Sequence, residues 1–162
     1  MTPIPVLKYV PLPTDQVRGF QRSTVDSNGL MPERVSQGSG PCRHCLCPIQ
    51  PHEEMLVLGY CPFPSLQPYA ETGPIFLHAR ECDPYTEVSV LPAMYGSASD
   101  ALMIVRGYGY NNRIEYSATA VVAVNQLEKS CRDLLANEDV AYLHIRGAST
   151  NCYQFRVERG SL

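Results

Sequence analysis

The sequence lacks both a long apolar run and an excess of basic charge. Its longest apolar stretch, ATAVVAV at 118–124, is far too short to span a bilayer. The net charge of −3, from 13 basic and 16 acidic side chains, argues against nucleic acid, whose binders usually carry a basic face. The N-terminal stretch MTPIPVLKYVPLP has prolines and Lys8 where a signal peptide needs an unbroken apolar core. We therefore expect a cytoplasmic protein with no membrane partner and no nucleic-acid partner.

The common catalytic motifs are also missing. The sequence has no carboxylate pair at catalytic spacing, no glycine loop that would cradle a phosphate, and no serine-elbow motif. It therefore predicts no particular reaction and leaves open whether the protein is an enzyme. At 162 residues and 44% hydrophobic content, the chain is long enough for one domain with its own core, so we expect a single domain over 1–162.

Proline is absent after Pro92, whereas 12 of the 14 prolines lie at or before Pro74. We expect short strands and shaped loops in the first half and regular structure in the second. Runs of apolar and alternating residues predict the following strands: 53–60, 74–79, 101–110, 114–124, 140–147 and 152–159, with an edge strand at 4–10. Thr14 is a candidate cap for a short helix over 15–23, and Asn125 for a longer helix over 126–136. The predicted fold is α+β, a curved and mostly antiparallel sheet of about six strands with the second helix on its apolar face. A barrel-like sheet is the main variant.

Two-residue alternation sorts the basic and aromatic residues of these strands onto one side. If the strands are neighbours, the face away from the helix collects one set of side chains: His78, Arg106, Tyr108, His144, Arg146 and Arg156. Arginine forks grip carboxylate or phosphate, and tyrosines orient a ligand by their hydroxyls. The pattern predicts a binding module, with or without catalysis, for a small anionic molecule. A solvated sheet face is the plainer alternative.

The stretch GPCRHCLCPIQPHEE at 40–54 contains three of the seven cysteines, Cys42, Cys45 and Cys47. Its C-x-x-C spacing occurs in thiol oxidoreductases, but the strand and the helix that such a motif needs are missing on either side. A zinc site needs a second ligand pair, and FLHAREC at 76–82 offers one. A closed Cys3His site would then use Cys42, Cys45, His78 and Cys82, with zinc as the cofactor. A structural loop that packs small thiols against the core is the alternative. His44 is expected to bond backbone carbonyls, with metal ligation or service as a base as other options.

Five segments together resemble a family of bacterial proteins catalogued as a domain of unknown function, number 1203. They are PCRHCL (41–46), MLVLGYCPF (55–63), YAETGPIFLHAREC (69–82), YLHIRGA (142–148) and CYQFRVERG (152–160). The resemblance implies a small, usually single-domain cytoplasmic protein with no established activity and no functional residue to carry over. It also places the two ligand pairs in one signature, which favours their meeting in space. A third class of function, an interaction or scaffold protein without a small-molecule site, remains open beside the anion-binding module and the zinc protein, as does the oligomeric state.

Overall fold

The structure is a computed structural model that describes residues 3–96 and 100–161. The chain divides into two compact units. One, here called the sheet unit, comprises the residues up to Val10 and those from Glu87 onward. The other, here called the cysteine unit, is Pro11–Thr86. The expectation of a single domain stays a prediction.

The sheet unit is built on five antiparallel strands and one α-helix. The strands are β1 (Leu7–Val10), β7 (Leu102–Tyr108), β8 (Ile114–Ala123), β9 (Tyr142–Gly147) and β10 (Tyr153–Arg159), and the helix is α2 (Leu127–Leu135). The spatial order β1-β10-β9-β7-β8 has β1 and β8 at its ends. The predicted α+β class with mostly antiparallel strands and one main helix in the second half is therefore confirmed, and the sheet is open rather than a closed barrel.

Helix α2 packs on the apolar face of this sheet, as predicted. Leu127, Cys131 and Leu135 form its buried stripe, at the i, i+4, i+8 spacing of one helix face. At its C-terminal end, the Arg159 guanidinium donates to the Leu135 carbonyl at 2.7 Å and the Asn137 carbonyl at 2.8 Å. Because residues two apart on a strand share a face, this contact fixes the helix on the side of Arg159 and away from Glu158.

The predicted start of this helix is wrong in one respect. Residues Val124–Gln126 form a 3-10 turn, and no side chain caps the helix, so Asn125 does not have the expected role. The Val124 N–H bonds to the Ala101 carbonyl, which carries the β8 pairing beyond the strand end. Glu128 pairs with Arg132, one turn further on.

The cysteine unit contains helix α1 (Thr14–Arg22) and two small sheets. One sheet has the order β2-β5-β6, formed by Glu33–Val35, Met55–Tyr60 and Gly73–His78. The other pairs β3 (Gly40–Pro41) with β4 (Pro48–Ile49) around the cysteine loop. Strands β2, β3 and β4 were not predicted. In the part of the chain that the structure describes, no helix is long and apolar enough to cross a membrane.

Candidate metal centre

The first ligand pair lies in a tight turn between β3 and β4. Cys42 donates its backbone N–H to the Cys47 carbonyl, and the Leu46 N–H returns to the Cys42 carbonyl, both at 3.0 Å. Leu46 has a φ of 54°, an uncommon conformation for a bulky residue. Burial of its side chain, 1% exposed, holds this conformation in place. The chain thus turns back on itself, so Cys42 and Cys45 can approach the same point.

The second pair lies where β6 ends, and helix α1 holds it. His78 is the last residue of β6, and Cys82 follows four residues later. The Gln21 amide donates to the His78 carbonyl at 2.9 Å and the Arg80 carbonyl at 3.0 Å. The Arg18 guanidinium donates to the Cys82 carbonyl at 2.7 Å. Two side chains of one helix face therefore fix the backbone that carries both ligands.

These two pairs meet. The Sγ atoms of Cys42, Cys45 and Cys82 and a ring nitrogen of His78 all lie within 4.8 Å of one another. The Cys42 Sγ–Cys82 Sγ distance is 3.9 Å, and Cys45 Sγ lies 3.6 Å from His78 Nδ1. Two thiolates on a tetrahedral zinc ion lie about 3.8 Å apart, and a thiolate and an imidazole nitrogen about 3.5 Å apart. The arrangement therefore fits a four-coordinate metal ion, as the sequence predicted for these four residues.

The ring of His78 is oriented by a carboxylate. Its Nδ1 faces the thiols, and its Nε2 lies 3.1 Å from Glu53 Oε2. This contact follows from the register of the sheet, since Met55 at the start of β5 is paired with His78 and Glu53 precedes it by two residues. Histidines that bind metals characteristically donate their second ring N–H to such a carboxylate, which fixes the tautomer and makes the ligating nitrogen more basic.

His44 contacts Cys82, one of the four candidate ligands, and is not itself one of the four. It is fully buried, with Nδ1 3.2 Å from Cys82 Sγ and Nε2 2.8 Å from Thr14 Oγ1. Burial lowers the pKa of His44, so the ring is neutral. The expected bond from His44 to a backbone carbonyl is present at Cys82, beside these side-chain contacts. Thr14 opens helix α1 as its first residue instead of capping it.

The pKa values of the three thiols depend on one another. Hydrogen bonds from Cys45 and Cys82 lower the pKa of Cys42, which is the first thiol to ionise. Interaction with Cys42 in turn raises the pKa of Cys45, and that of Cys82 to about 11. The Cys42 sulfur also raises the pKa of His78. One thiolate thus suppresses ionisation of the other two, and a bound divalent cation is the group that would let all three ionise together.

The residues of the predicted anion-binding face lie mostly in the sheet unit. The strand register aligns Arg106 with His144 and His144 with Arg156. Arg146, opposite Tyr153, and Tyr108, opposite Tyr142, lie on the same side of these strands. His78 does not join them, because it belongs to the three-stranded sheet of the cysteine unit. That part of the predicted face is wrong, since alternation fixes the side of a strand but not the sheet it joins.

His144 is the centre of this face and is fully buried. Its ring centroid lies 4.7 Å from that of Tyr108, 5.1 Å from Tyr142 and 4.9 Å from Tyr153. Desolvation holds the pKa of His144 well below its usual range, and the charges of three arginines lower it further: Arg146, Arg156 and Arg106. A neutral imidazole therefore lies among cationic neighbours, and the alternative of a solvated face fails at this position.

The arginines of this face differ in exposure. Arg146 is 4% exposed and donates to the Asn151 carbonyl at 3.1 Å. Arg156 stacks its guanidinium 3.7 Å from the Tyr142 ring centroid and forms a 2.8 Å ion pair with Glu158, with a third of its side chain exposed. The anion-binding role of this face stays a prediction.

Comparison with known proteins gives a family and no function. Residues 39–159 match a family described as protein of unknown function, DUF1203, and the chain therefore belongs to that family. This confirms the resemblance. The match spans all four candidate metal ligands and the strands of the arginine-rich face. No curated protein and no solved structure matches the chain.

Proposed function

We propose that the protein binds one zinc ion at a closed Cys3His site formed by Cys42, Cys45, His78 and Cys82, and that the ion stabilises the cysteine unit. The observation that carries this proposal is the convergence of three sulfurs and one imidazole nitrogen within 4.8 Å. Three thiolates favour zinc over magnesium or calcium, which prefer oxygen ligands. Four protein ligands leave no position for water, so the role is structural rather than catalytic.

The positions of the ligands in the fold support a stabilising role. Cys42 and Cys45 come from the loop between the two-residue strands β3 and β4, whereas His78 is the last residue of β6 and Cys82 follows it. Structural zinc sites in small domains contribute about 10–16 kcal/mol of apparent binding free energy, which is coupled to folding. Zinc bound here would join two chain segments that lie 33 residues apart from Cys45 to His78.

Metal analysis of protein purified without an affinity tag tests the proposal. We expect one equivalent of zinc per chain in the wild type and loss of most of it in Cys82→Ser. Cobalt substituted for zinc should give the intense visible absorption of a tetrahedral thiolate complex. A zinc content well under one equivalent in freshly purified protein would remove the proposal.

The chain offers a matched control in the same loop. Cys47 lies two residues from Cys45, is exposed, and is not among the four converging residues. Cys47→Ser should therefore keep a full equivalent of zinc and an unchanged cobalt spectrum. Equal metal loss from Cys47→Ser and Cys82→Ser would mean that the loop as a whole, and not the assigned ligand set, determines metal content.

We also propose that the arginine-rich face of the sheet unit binds a small anion. The supporting observation is the row Arg106, His144 and Arg156 across three adjacent strands, which concentrates positive charge beside a neutral imidazole. Part of the Arg156 side chain is exposed, so an anion could reach this row from solvent. Guanidinium groups held in this way favour phosphate or carboxylate.

Thermal shifts with inorganic phosphate and with citrate, at constant ionic strength, test this second proposal. We expect a rise in melting temperature for the wild type and a much smaller rise for Arg106→Gln. Arg113→Gln, at an exposed arginine of the same unit, is the control and should keep the wild-type response. A shift of equal size in all three proteins would indicate a general salt effect and contradict the site.

A further inference from the structure

In the part of the chain that the structure describes, strand β8 is a long sheet edge whose last five residues, 119–123, have no charge, proline or bulge that would block edge-to-edge pairing. It runs for ten residues, Ile114–Ala123, at one end of the five-stranded sheet. Its sequence, IEYSATAVVA, has one charged residue, Glu115, and no proline or lysine. Natural proteins usually protect such edges with charge, proline, a short strand or a covering segment, because the unpaired backbone groups can pair with another chain.

Strand β1 and the two edge strands of the three-stranded sheet are protected. Strand β1 has four residues, and its Tyr9 N–H already bonds to the Val88 carbonyl at 2.7 Å. Strand β6 contains Pro74, and its Phe76 carbonyl accepts the Arg43 N–H. Strand β2 has three residues, two of them charged. Strand β8 therefore differs from the other edges in length and in composition.

The direction of the free backbone groups can be read from the pairing with β7. The Val124 N–H bonds to the Ala101 carbonyl, and Val122 and Ala120 follow at two-residue intervals toward β7. In an antiparallel pair the hydrogen-bonding direction alternates, so the N–H and carbonyl groups of three residues point away from β7: Thr119, Val121 and Ala123. A second strand could bond to this row.

The side chains beside this row are apolar and exposed. Val121 is 61% exposed and lies opposite Ile104, and Leu102, two residues before Ile104 on the same face, is 53% exposed. Exposed apolar residues grouped at a sheet edge are typical of an interaction surface. The patch borders the edge itself, so a strand added to β8 would cover Val121.

We propose that β8 pairs antiparallel with β8 of a second copy of this chain, about a two-fold axis at Val121. In this register Thr119 faces Ala123 of the second copy, and Val121 faces Val121 of the second copy. Glu115 lies beyond the paired row, so no charged side chains face each other. Each of these pairs is of the hydrogen-bonded type, which gives six backbone bonds. The arrangement is self-complementary, as a two-fold interface requires, and joins the two sheets into one of ten strands.

Charge substitutions at the axis test both the interface and its register. Analytical ultracentrifugation of the wild type should give twice the 18.0 kDa chain mass. Val121→Lys and Val121→Glu each place like charges opposite each other, so each should weaken self-association by at least about tenfold. An equal mixture of the two should restore the dimer, because lysine then faces glutamate. Val90→Lys, at another exposed valine of the sheet unit, should leave the dimer unchanged.

The remaining outcomes count against the proposal. A wild type that stays monomeric at high concentration would overturn it, as would two Val121 variants that each remain dimeric. Dimers lost in both variants but not restored by mixing would place the contact elsewhere than at a Val121 pair. Circular dichroism and melting of each variant separate a lost interface from a lost fold, and the mixing result does not depend on either variant being as stable as the wild type.

Discussion

Glu53, two residues before β5, holds the ring of His78 in the candidate metal centre. Its Oε2 lies 3.1 Å from His78 Nε2 and also accepts the Gln50 N–H at 2.9 Å. The Gln50 bond is the main reason that the pKa of this carboxyl is lowered, and His78 adds to it. The carboxylate is therefore ionised and positioned before any metal binds.

Replacing this carboxylate should weaken zinc binding without abolishing it. We expect Glu53→Gln to lower zinc affinity about tenfold, at the lower end of the effects seen for such outer partners, because the amide keeps an acceptor but loses the charge. Competition with a chromophoric chelator measures the affinity. Glu54→Gln is the control, since Glu54 pairs with Arg34 instead of His78. Equal affinities for the two variants would contradict the role given to Glu53.

His144 should remain neutral across the range in which histidine usually titrates. Its pKa is lowered in the folded state by burial and by three arginines, so only the unfolded chain takes up this proton below pH about 6.5. The neutral His144 ring therefore contributes to the free energy of unfolding. This contribution is fully present above the unfolded pKa and is lost as pH falls toward the folded pKa, at about 1.4 kcal/mol per pH unit.

Nuclear magnetic resonance of the His144 ring tests this directly. The ring carbon and proton shifts should stay constant from neutral pH down to the point where the protein unfolds. The same chain in denaturant provides the reference, in which the His144 ring should titrate near pH 6.5. A folded-state titration at or above that value would show that the ring is solvated or paired with an acid.

At the scale of single residues, the sequence predicts roles that depend on spacing and misses those that depend on the fold. The ligand set could be proposed because a C-x-x-C pair and a His-x3-Cys pair are visible in the chain. The bond from Thr14 to His44 joins residues 30 apart and follows no local pattern. The contact from Glu53 to His78 needs the register of β5 on β6, which periodicity alone does not determine.

At the scale of secondary structure elements, alternation predicted the long strands and could not detect the short ones. Strands β7 to β10 each have six residues or more, enough for a two-residue period to be visible. Strands β3 and β4 have two residues each, and β2 has three, so no period can be read from them. The β3–β4 ladder closes the cysteine loop, and its absence from the prediction left the geometry of that loop open.

Gly107 lies where strands β7 and β8 approach each other closely. A Cβ atom added there would lie 2.7 Å from the Ala118 backbone carbonyl and 2.9 Å from the Ala118 side chain, beside the register shift between β7 and β8. A backbone atom cannot move away without disturbing the sheet. We expect Gly107→Ala to lower the free energy of unfolding by about 1–3 kcal/mol, measured by denaturant titration.

Gly73 provides the comparison for this substitution. It also lies in a strand, but a Cβ atom there would meet nothing within 4 Å. Gly73→Ala should therefore change the free energy of unfolding by less than about 1 kcal/mol. Similar losses in the two variants would mean that the approach of Ala118 to Gly107 is not what limits this position.

At the scale of the whole molecule, metal removal should affect the two units differently. All four proposed ligands lie in the cysteine unit, Pro11–Thr86, whereas the sheet unit has its own five-stranded core. We expect a strong chelator to increase hydrogen exchange in β5, β6 and the cysteine loop while β9 and β10 keep most of their protection. Hydrogen exchange with mass spectrometry measures this, and uniform loss of protection over both units would contradict it.

The central claim is that three sulfurs and one imidazole nitrogen bind a single zinc ion. X-ray absorption at the zinc edge, on tag-free protein with its native metal, tests this most directly because it counts the ligands and measures their distances. We predict three sulfur neighbours at about 2.3 Å and one nitrogen at about 2.0 Å. A shell of oxygen and nitrogen with fewer than three sulfurs, or no zinc signal at all, would contradict the account.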